Sequence, residues 1–216
     1  FVLGHHGQTF SWAGLTGLVL GGFLISGASG AANEIKEREF DKLMKRTKTR
    51  PLPMEIISVK EAYWFAVIAA VTGVLLLAYF TNMLTTGLGI LSMILYVFVY
   101  TPLKRVGPIA VLVGAIPGAM PPLLGWTAVT GSITYEALII FGIQFIWQFP
   151  HFWAIAWVSD EDYKKAGFKL LPSGGQKDLN TAIQIMIYTL FLLPLGLLPT
   201  YFGLTGLNSG IVATIC

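Results

Sequence analysis

Asn33, Glu37 and Asp41 stand four residues apart in the most densely charged run of the chain, which extends from Asn33 to Arg50. On a helix such positions share one face. A row of oxygen ligands of this kind can hold a hard cation such as Mg²⁺, and the cation can in turn hold a diphosphate. Downstream, Lys42, Lys45, Arg46, Lys48 and Arg50 can take phosphate oxygens directly, the arginines in bidentate fashion. The spacing leaves a second reading equally open, a solvated cytoplasmic loop whose charges only set membrane topology.

Three further stretches carry polar or irregular chemistry. Tyr100 and Lys104 are four apart, next to Arg105 and with Pro102 between them. They suit either contact with a diphosphate or an aromatic belt with an interfacial anchor. Gln148, Pro150 and His151 lie among Trp147, Phe152 and other aromatics in an apolar block, where polar groups usually face a cavity. A second acidic cluster, Asp160-Glu161-Asp162, comes next, with Lys164 and Lys165 after it. His151 on its own reads as a hydrogen-bonded core histidine; its company favours a functional role. From Gly114 to Trp126, three prolines and several glycines predict a broken helix that walls a cavity for a bulky apolar ligand. His5 and His6 read as ordinary solvent-facing histidines rather than a metal pair.

The elements that must position these residues are membrane spans. The chain has 216 residues, 55% hydrophobic and 12% charged, with mean hydropathy +0.70. The apolar residues come in blocks near 10–33, 58–81, 87–103, 107–130, 135–158 and 181–202, with a shorter one at 207–216. Each of the first six approaches the ~20 residues that cross a bilayer core. The class is therefore an all-α polytopic membrane protein. A single cysteine, Cys216, excludes an internal disulfide and a Cys-based metal site. All fourteen Lys and Arg fall on or beside the connections at 34–57, 104–106 and 159–180. Those connections share one side of the membrane if every block spans, and the positive-inside rule makes that side cytoplasmic. Glu136 alone among the Asp, Glu, Lys and Arg residues lies off it, as an interfacial charge. The chain reads as one transmembrane unit over 1–216 and as a fragment of a longer protein.

These motifs together resemble the UbiA superfamily of intramembrane prenyltransferases. The resemblance runs through Asn33, Glu37 and Asp41 with the Leu-Met-Lys-Arg46-Thr-Lys-Thr-Arg50-Pro51 stretch and Tyr100-Thr-Pro-Leu-Lys104-Arg105. It continues through Gly114 to Trp126 and from Trp147-Gln-Phe-Pro-His151-Phe to Glu161-Asp162-Tyr-Lys-Lys-Ala-Gly167. The Pro-Pro-Leu-Leu-Gly-Trp126 and Trp147-Gln148 stretches point to the haem-farnesylating branch. The resemblance implies a nine-helix bundle around a central cavity, of which about six full spans and a truncated one are seen here, with one helix missing before Phe1 and others after Leu207. It implies transfer of a farnesyl group from farnesyl diphosphate to haem B, with Mg²⁺ as cofactor, in a prokaryotic plasma membrane. No nucleic-acid partner is implied; haem-maturation or oxidase-assembly proteins are possible partners.

By the same resemblance Asn33, Glu37, Asp41, Asp160 and Asp162 would hold metal. Lys42, Arg46, Arg50, Lys104 and Arg105 would bind diphosphate. Trp126, Trp147, Gln148, His151 and Phe152 would line the haem and prenyl cavity, and Tyr100, Lys104, His151 and Asp162 would join Asn33, Glu37 and Asp41 in catalysis. The superfamily pattern more often has Asp where Glu37 stands, and spaces its second acidic pair four apart rather than as Asp160 and Asp162. A family member prenylating a quinone precursor, or a secondary transporter, are the alternatives. The one-sided charge argues against transport.

Overall fold

The computed structural model describes residues 1–5 and 9–215. His6, and with it the His5–His6 pair, lies outside the described residues. A short 3₁₀ turn, Val2–His5, is followed by α1 (Trp12–Asp41), α2 (Val59–Phe80), α3 (Met83–Leu103), α4 (Ile109–Thr130), α5 (Tyr135–Val158), α6 (Asp160–Lys165), α7 (Leu179–Tyr201) and α8 (Leu207–Ile215). No strand occurs among the described residues. All but α6 and α8 are long and apolar enough to cross a membrane, as the hydropathy blocks predict.

Polar caps fix where several spans begin. The Ser11 hydroxyl accepts the Gly14 N–H at α1, and Asn82 and Asp178 serve α3 and α7 in the same way. At α2, Ser58 and Glu61 form a reciprocal capping box. Between spans, small residues set the packing distance. Gly21 lies so close to α2 that a Cβ there would meet Leu77 side-chain atoms at 2.9 Å and the Gly73 carbonyl at 3.0 Å. Without a hydrophobic drive between helices in lipid, such close approach is what holds α1 to α2.

Two expectations about local backbone change. First, the connection placed at 34–57 starts later, because α1 carries the acidic row to its own C-terminus at Asp41. Second, the stretch from Gly114 to Trp126 is an unbroken helix that contains Pro117, Pro121 and Pro122. Pro122 has no N–H to give the Gly118 carbonyl, its partner four residues back. The Gln148 side chain of α5 supplies the missing donor instead, at 2.9 Å. Glycine at 118 makes room for it, since a Cβ there would come within 2.6 Å of the Gln148 amide carbon. The helix continues because its neighbour repairs it.

Within α3, a π-helical turn, Leu95–Tyr100, precedes a last short α-helical turn. Such wider turns shift the register of the residues downstream and are frequent at functional sites.

Candidate active site

The α1 acidic row is buried: Asn33 is 6% exposed, Glu37 5% and Asp41 1%. Buried carboxylates are costly unless paired, and Asp41 also sits at a helix C-terminus, where the dipole disfavours a negative charge. Two cations answer this. Lys104 Nζ, just after α3, lies 2.9 Å from Glu37 Oε2 and donates to Asn33 Oδ1 at 3.2 Å. Arg50 Nη1, from the α1–α2 loop, donates to Asp41 Oδ2 at 3.0 Å, and its Nε is 3.5 Å from Glu34. Burial pushes the Lys104 ammonium below its ordinary pKa, with the Glu37 carboxylate opposing that shift. Thr101, one turn earlier on α3, shares its hydroxyl proton between Asn33 Oδ1 at 2.9 Å and the Tyr96 carbonyl at 2.8 Å.

These groups line a polar pocket of about 230 Å³ on the charged side, together with Arg46, Tyr96, Tyr100 and Phe152. The connection after α5 closes over it through Tyr163, Phe168 and Leu170. It is fastened at two points: Lys169 N–H donates to the Lys104 carbonyl at 3.0 Å, and Asp162 Oδ2 accepts the Arg46 N–H at 3.2 Å. Desolvation pushes the Asp162 carboxyl up, but the backbone N–H groups of Lys45 and Arg46 and the Lys165 ammonium outweigh it, so it titrates below the usual aspartate range. A second, mostly apolar cavity of about 580 Å³ lies between α1, α3, α4 and α5. Tyr96 and Phe152 line both.

The structure thus brings Asn33, Glu37, Asp41, Arg46, Arg50, Tyr100, Lys104 and Phe152 into one place. Other candidates stand apart from both cavities. Lys42 is paired with Glu39 and Glu55, at 3.4 and 3.7 Å, and Arg105 lies over the Phe40 ring, 4.8 Å from its centre. Asp160 is 2.8 Å from Lys164, while Asp162 holds the loop. Gln148 is buried and engaged with Gly118, and Trp126 is enclosed between Met120, Leu123 and Ala137. Trp147 and His151 are exposed on α5 and stack at 4.4 Å, with the His151 ring 5.9 Å from that of Phe152.

The profile of the UbiA prenyltransferase family matches residues 2–216. The chain belongs to this family. It is 50% identical to a protoheme IX farnesyltransferase of Cytophaga hutchinsonii over 216 residues, all of this chain and 75% of that protein. It is also 50% identical to one of Flavobacterium psychrophilum over 189 residues, 88% of this chain and 62% of that one. The chain therefore spans between three fifths and three quarters of these relatives. A solved UbiA homolog from Archaeoglobus fulgidus, bound to DMAPP and Mg²⁺, has the same fold, with TM-score 0.78 at 17% identity, over 99% of this chain and 76% of that one.

For this UbiA-family chain the fit of a hard cation can be tested on its own atoms. Glu37 Oε1 is buried and has no hydrogen-bond partner among the described residues. An oxygen left so, beside the Asn33 amide and the Asp41 carboxylate, suits a cation that prefers oxygen ligands. No group of three or more His, Cys, Asp or Glu side chains converges among the described residues, so a cation here would draw on two carboxylates and an amide at most. Sequence patterning does not single out Tyr96, Thr101, Tyr163 or Phe168. Tyr96 carries a signal, since 96, 100 and 104 repeat one spacing; the others come together only across distant parts of the chain.

Proposed function

We propose that the intact protein transfers the farnesyl group of farnesyl diphosphate to a vinyl group of haem B, giving haem O, with Mg²⁺ as cofactor. The observation that carries this reading is a buried pocket of acids and cations opening beside a larger apolar cavity. Its support is the 50% identity to protoheme IX farnesyltransferases. The charged face is the cytoplasmic one and the membrane a prokaryotic plasma membrane. Haem-maturation or oxidase-assembly proteins are the partners this reading suggests.

Asn33, Glu37 and Asp41 would hold the cation, whose positive charge would offset the negative charge that builds on the diphosphate. Lys104, Arg46 and Arg50 then take the diphosphate oxygens, fixed donors aimed where negative charge develops. The C1–O bond of the allylic diphosphate breaks and its electron pair leaves with the diphosphate oxygen. The vinyl π pair of the haem forms the new C–C bond to C1, which leaves a cation on the carbon next to the porphyrin ring. Water adds there and loses a proton. His151, whose ring neighbours that of Phe152, orients that water or touches the haem.

The test uses the intact protein in membranes with farnesyl diphosphate, haem B and Mg²⁺, pigments being read by chromatography and mass. The expected result is a haem heavier by a hydroxyethylfarnesyl change, lost in Asp41→Ala and without Mg²⁺. Diphosphate release with a phenolic acceptor but not with haem would assign the quinone branch. No Mg²⁺-dependent consumption of prenyl diphosphate would leave transport as the reading. Full haem O output and haem affinity in His151→Ala would remove that residue's role.

A further inference from the structure

Tyr96 is absent from every motif read in the sequence, yet only it and Phe152 line both the polar pocket and the apolar cavity among the described residues. On the proposed prenyl-transfer reading, a diphosphate lies among Lys104, Arg46 and Arg50 while its isoprenoid tail lies in the apolar cavity. The first carbons of the chain must then cross where the two cavities meet. That is where positive charge appears when the C1–O bond breaks.

We infer that Tyr96 is a catalytic residue whose ring, together with that of Phe152, covers C1 of the prenyl chain, stabilises the allylic cation and keeps water from it. An aromatic face attracts a cation through its quadrupole, and more strongly when both are out of water. The rings form a continuous series: Lys104 Nζ lies 4.9 Å from the centre of Tyr100, which is 5.3 Å from Tyr96 and 5.9 Å from Phe152. The fixed ammonium lies toward the anionic end of the substrate, and the rings lead away from it.

Tyr96 is also held in place by the metal-ligand side. It lies in the π turn, and its carbonyl accepts both the Thr101 N–H and the Thr101 hydroxyl, the same hydroxyl that reaches Asn33 Oδ1. These bonds fix the backbone from which the ring projects, and the ring itself packs 5.3 Å from that of Tyr100, so its position is set before substrate arrives. Gly114 on α4 serves the same arrangement, because a Cβ there would lie 2.6 Å from the Tyr100 ring.

The role predicts a change in the fate of the cation. When the cover is removed, water attacks C1 or C3 of the allylic cation, loses a proton and gives an allylic alcohol instead of the transferred product. The experiment compares wild type, Y96L, Y96F and F152L in the intact protein, with farnesyl diphosphate, haem B and Mg²⁺. It reads diphosphate release, haem product and farnesyl alcohols, with binding of a non-reacting prenyl diphosphate analogue as the check on site integrity. Y96L should lower kcat by about 10-fold, with KM for farnesyl diphosphate within about twofold, and raise the alcohol fraction several-fold. Y96F, which keeps the ring, should keep the wild-type alcohol fraction, and F152L should shift it as Y96L does. A wild-type alcohol fraction and kcat in Y96L overturns the role, as does an equal shift in Y96F, which would assign the effect to the hydroxyl. Should Y96L fail the binding check, F152L decides in the same terms. Wild-type protein that releases no diphosphate refutes the reaction reading itself, and the role of Tyr96 with it.

Discussion

At the scale of single residues, the acidic row is occupied by the chain's own cations, and this sets how a metal and a diphosphate are received. Lys104 sits on Asn33 and Glu37, and Arg50 on Asp41. A diphosphate drawing these cations toward itself would free the oxygens for a metal, so the two should bind with positive coupling. Truncating Lys104 separates the parts. Lys104→Met leaves both Glu37 oxygens without a partner, and breaking a buried pair from one side costs about 3–5 kcal/mol. The variant should melt well below wild type in detergent, and Mn²⁺ or Mg²⁺ without diphosphate should recover more stability than the same ion gives wild type. A thermal shift series with and without the ion checks this; equal shifts in both would remove Glu37 from the ligand set. The row itself was legible because its 3.6-residue periodicity is local. Which cations face it was legible only through the resemblance and only in part: Lys104, 67 residues away, and Arg50 do, whereas Lys42, adjacent in sequence, points to Glu39 and Glu55.

At the scale of elements, hydropathy located the spans because burial in lipid demands long apolar runs with every backbone bond closed internally. Prolines misled it at Gly114–Trp126 because proline's local cost was visible and its remedy was not. The remedy lies on α5, in the Gln148 amide that satisfies the Gly118 carbonyl freed by Pro122. Its polarity at membrane depth, read as a sign of cavity chemistry, is spent on joining two helices. Gln148→Leu should leave that carbonyl unsatisfied and cost about 1–3 kcal/mol, lowering the melting temperature in detergent by several degrees. Prenyl diphosphate binding at temperatures where the variant is folded should change little, since Gln148 lines neither cavity. A stable variant with lost prenyl binding would return Gln148 to the site.

At the scale of the whole molecule, the connections on the charged side form a lid whose parts come from both halves of the chain. The α1–α2 loop delivers Arg46 and Arg50 to the pocket, and the connection after α5 delivers Tyr163, Phe168 and Leu170. Met44 from the first packs on Ala166 and Phe168 from the second, and the Arg46 N–H is tied to Asp162. Of the second acidic cluster, read as metal ligands by resemblance, Asp162 here ties down the loop that carries the arginines, while Asp160 pairs with Lys164. The bond from the Arg46 N–H is strongest to an ionised carboxylate, and the folded pKa of Asp162 lies below the ordinary 3.8. A carboxyl shifted this way contributes stability that is fully present above its unfolded pKa and is lost as pH falls through the folded value. The clasp should thus be intact from neutral pH down to about 4 and open only below it. Asp162→Ala, which leaves the Arg46 N–H without this acceptor, should loosen it at every pH. Limited proteolysis between Lys42 and Ile57, followed by mass spectrometry in detergent, reads the opening directly. Wild type should resist cleavage at pH 7 and at pH 5 alike, and become cleavable by an acid protease below about pH 4. Asp162→Ala should be cut already at pH 7, with weaker prenyl diphosphate binding because Arg46 and Arg50 ride on that loop. Equal protection of the variant and wild type at pH 7 would mean that Met44 and Phe168 hold the lid without Asp162. Weaker Mg²⁺ binding with the loop still protected would restore the carboxylate to the metal site.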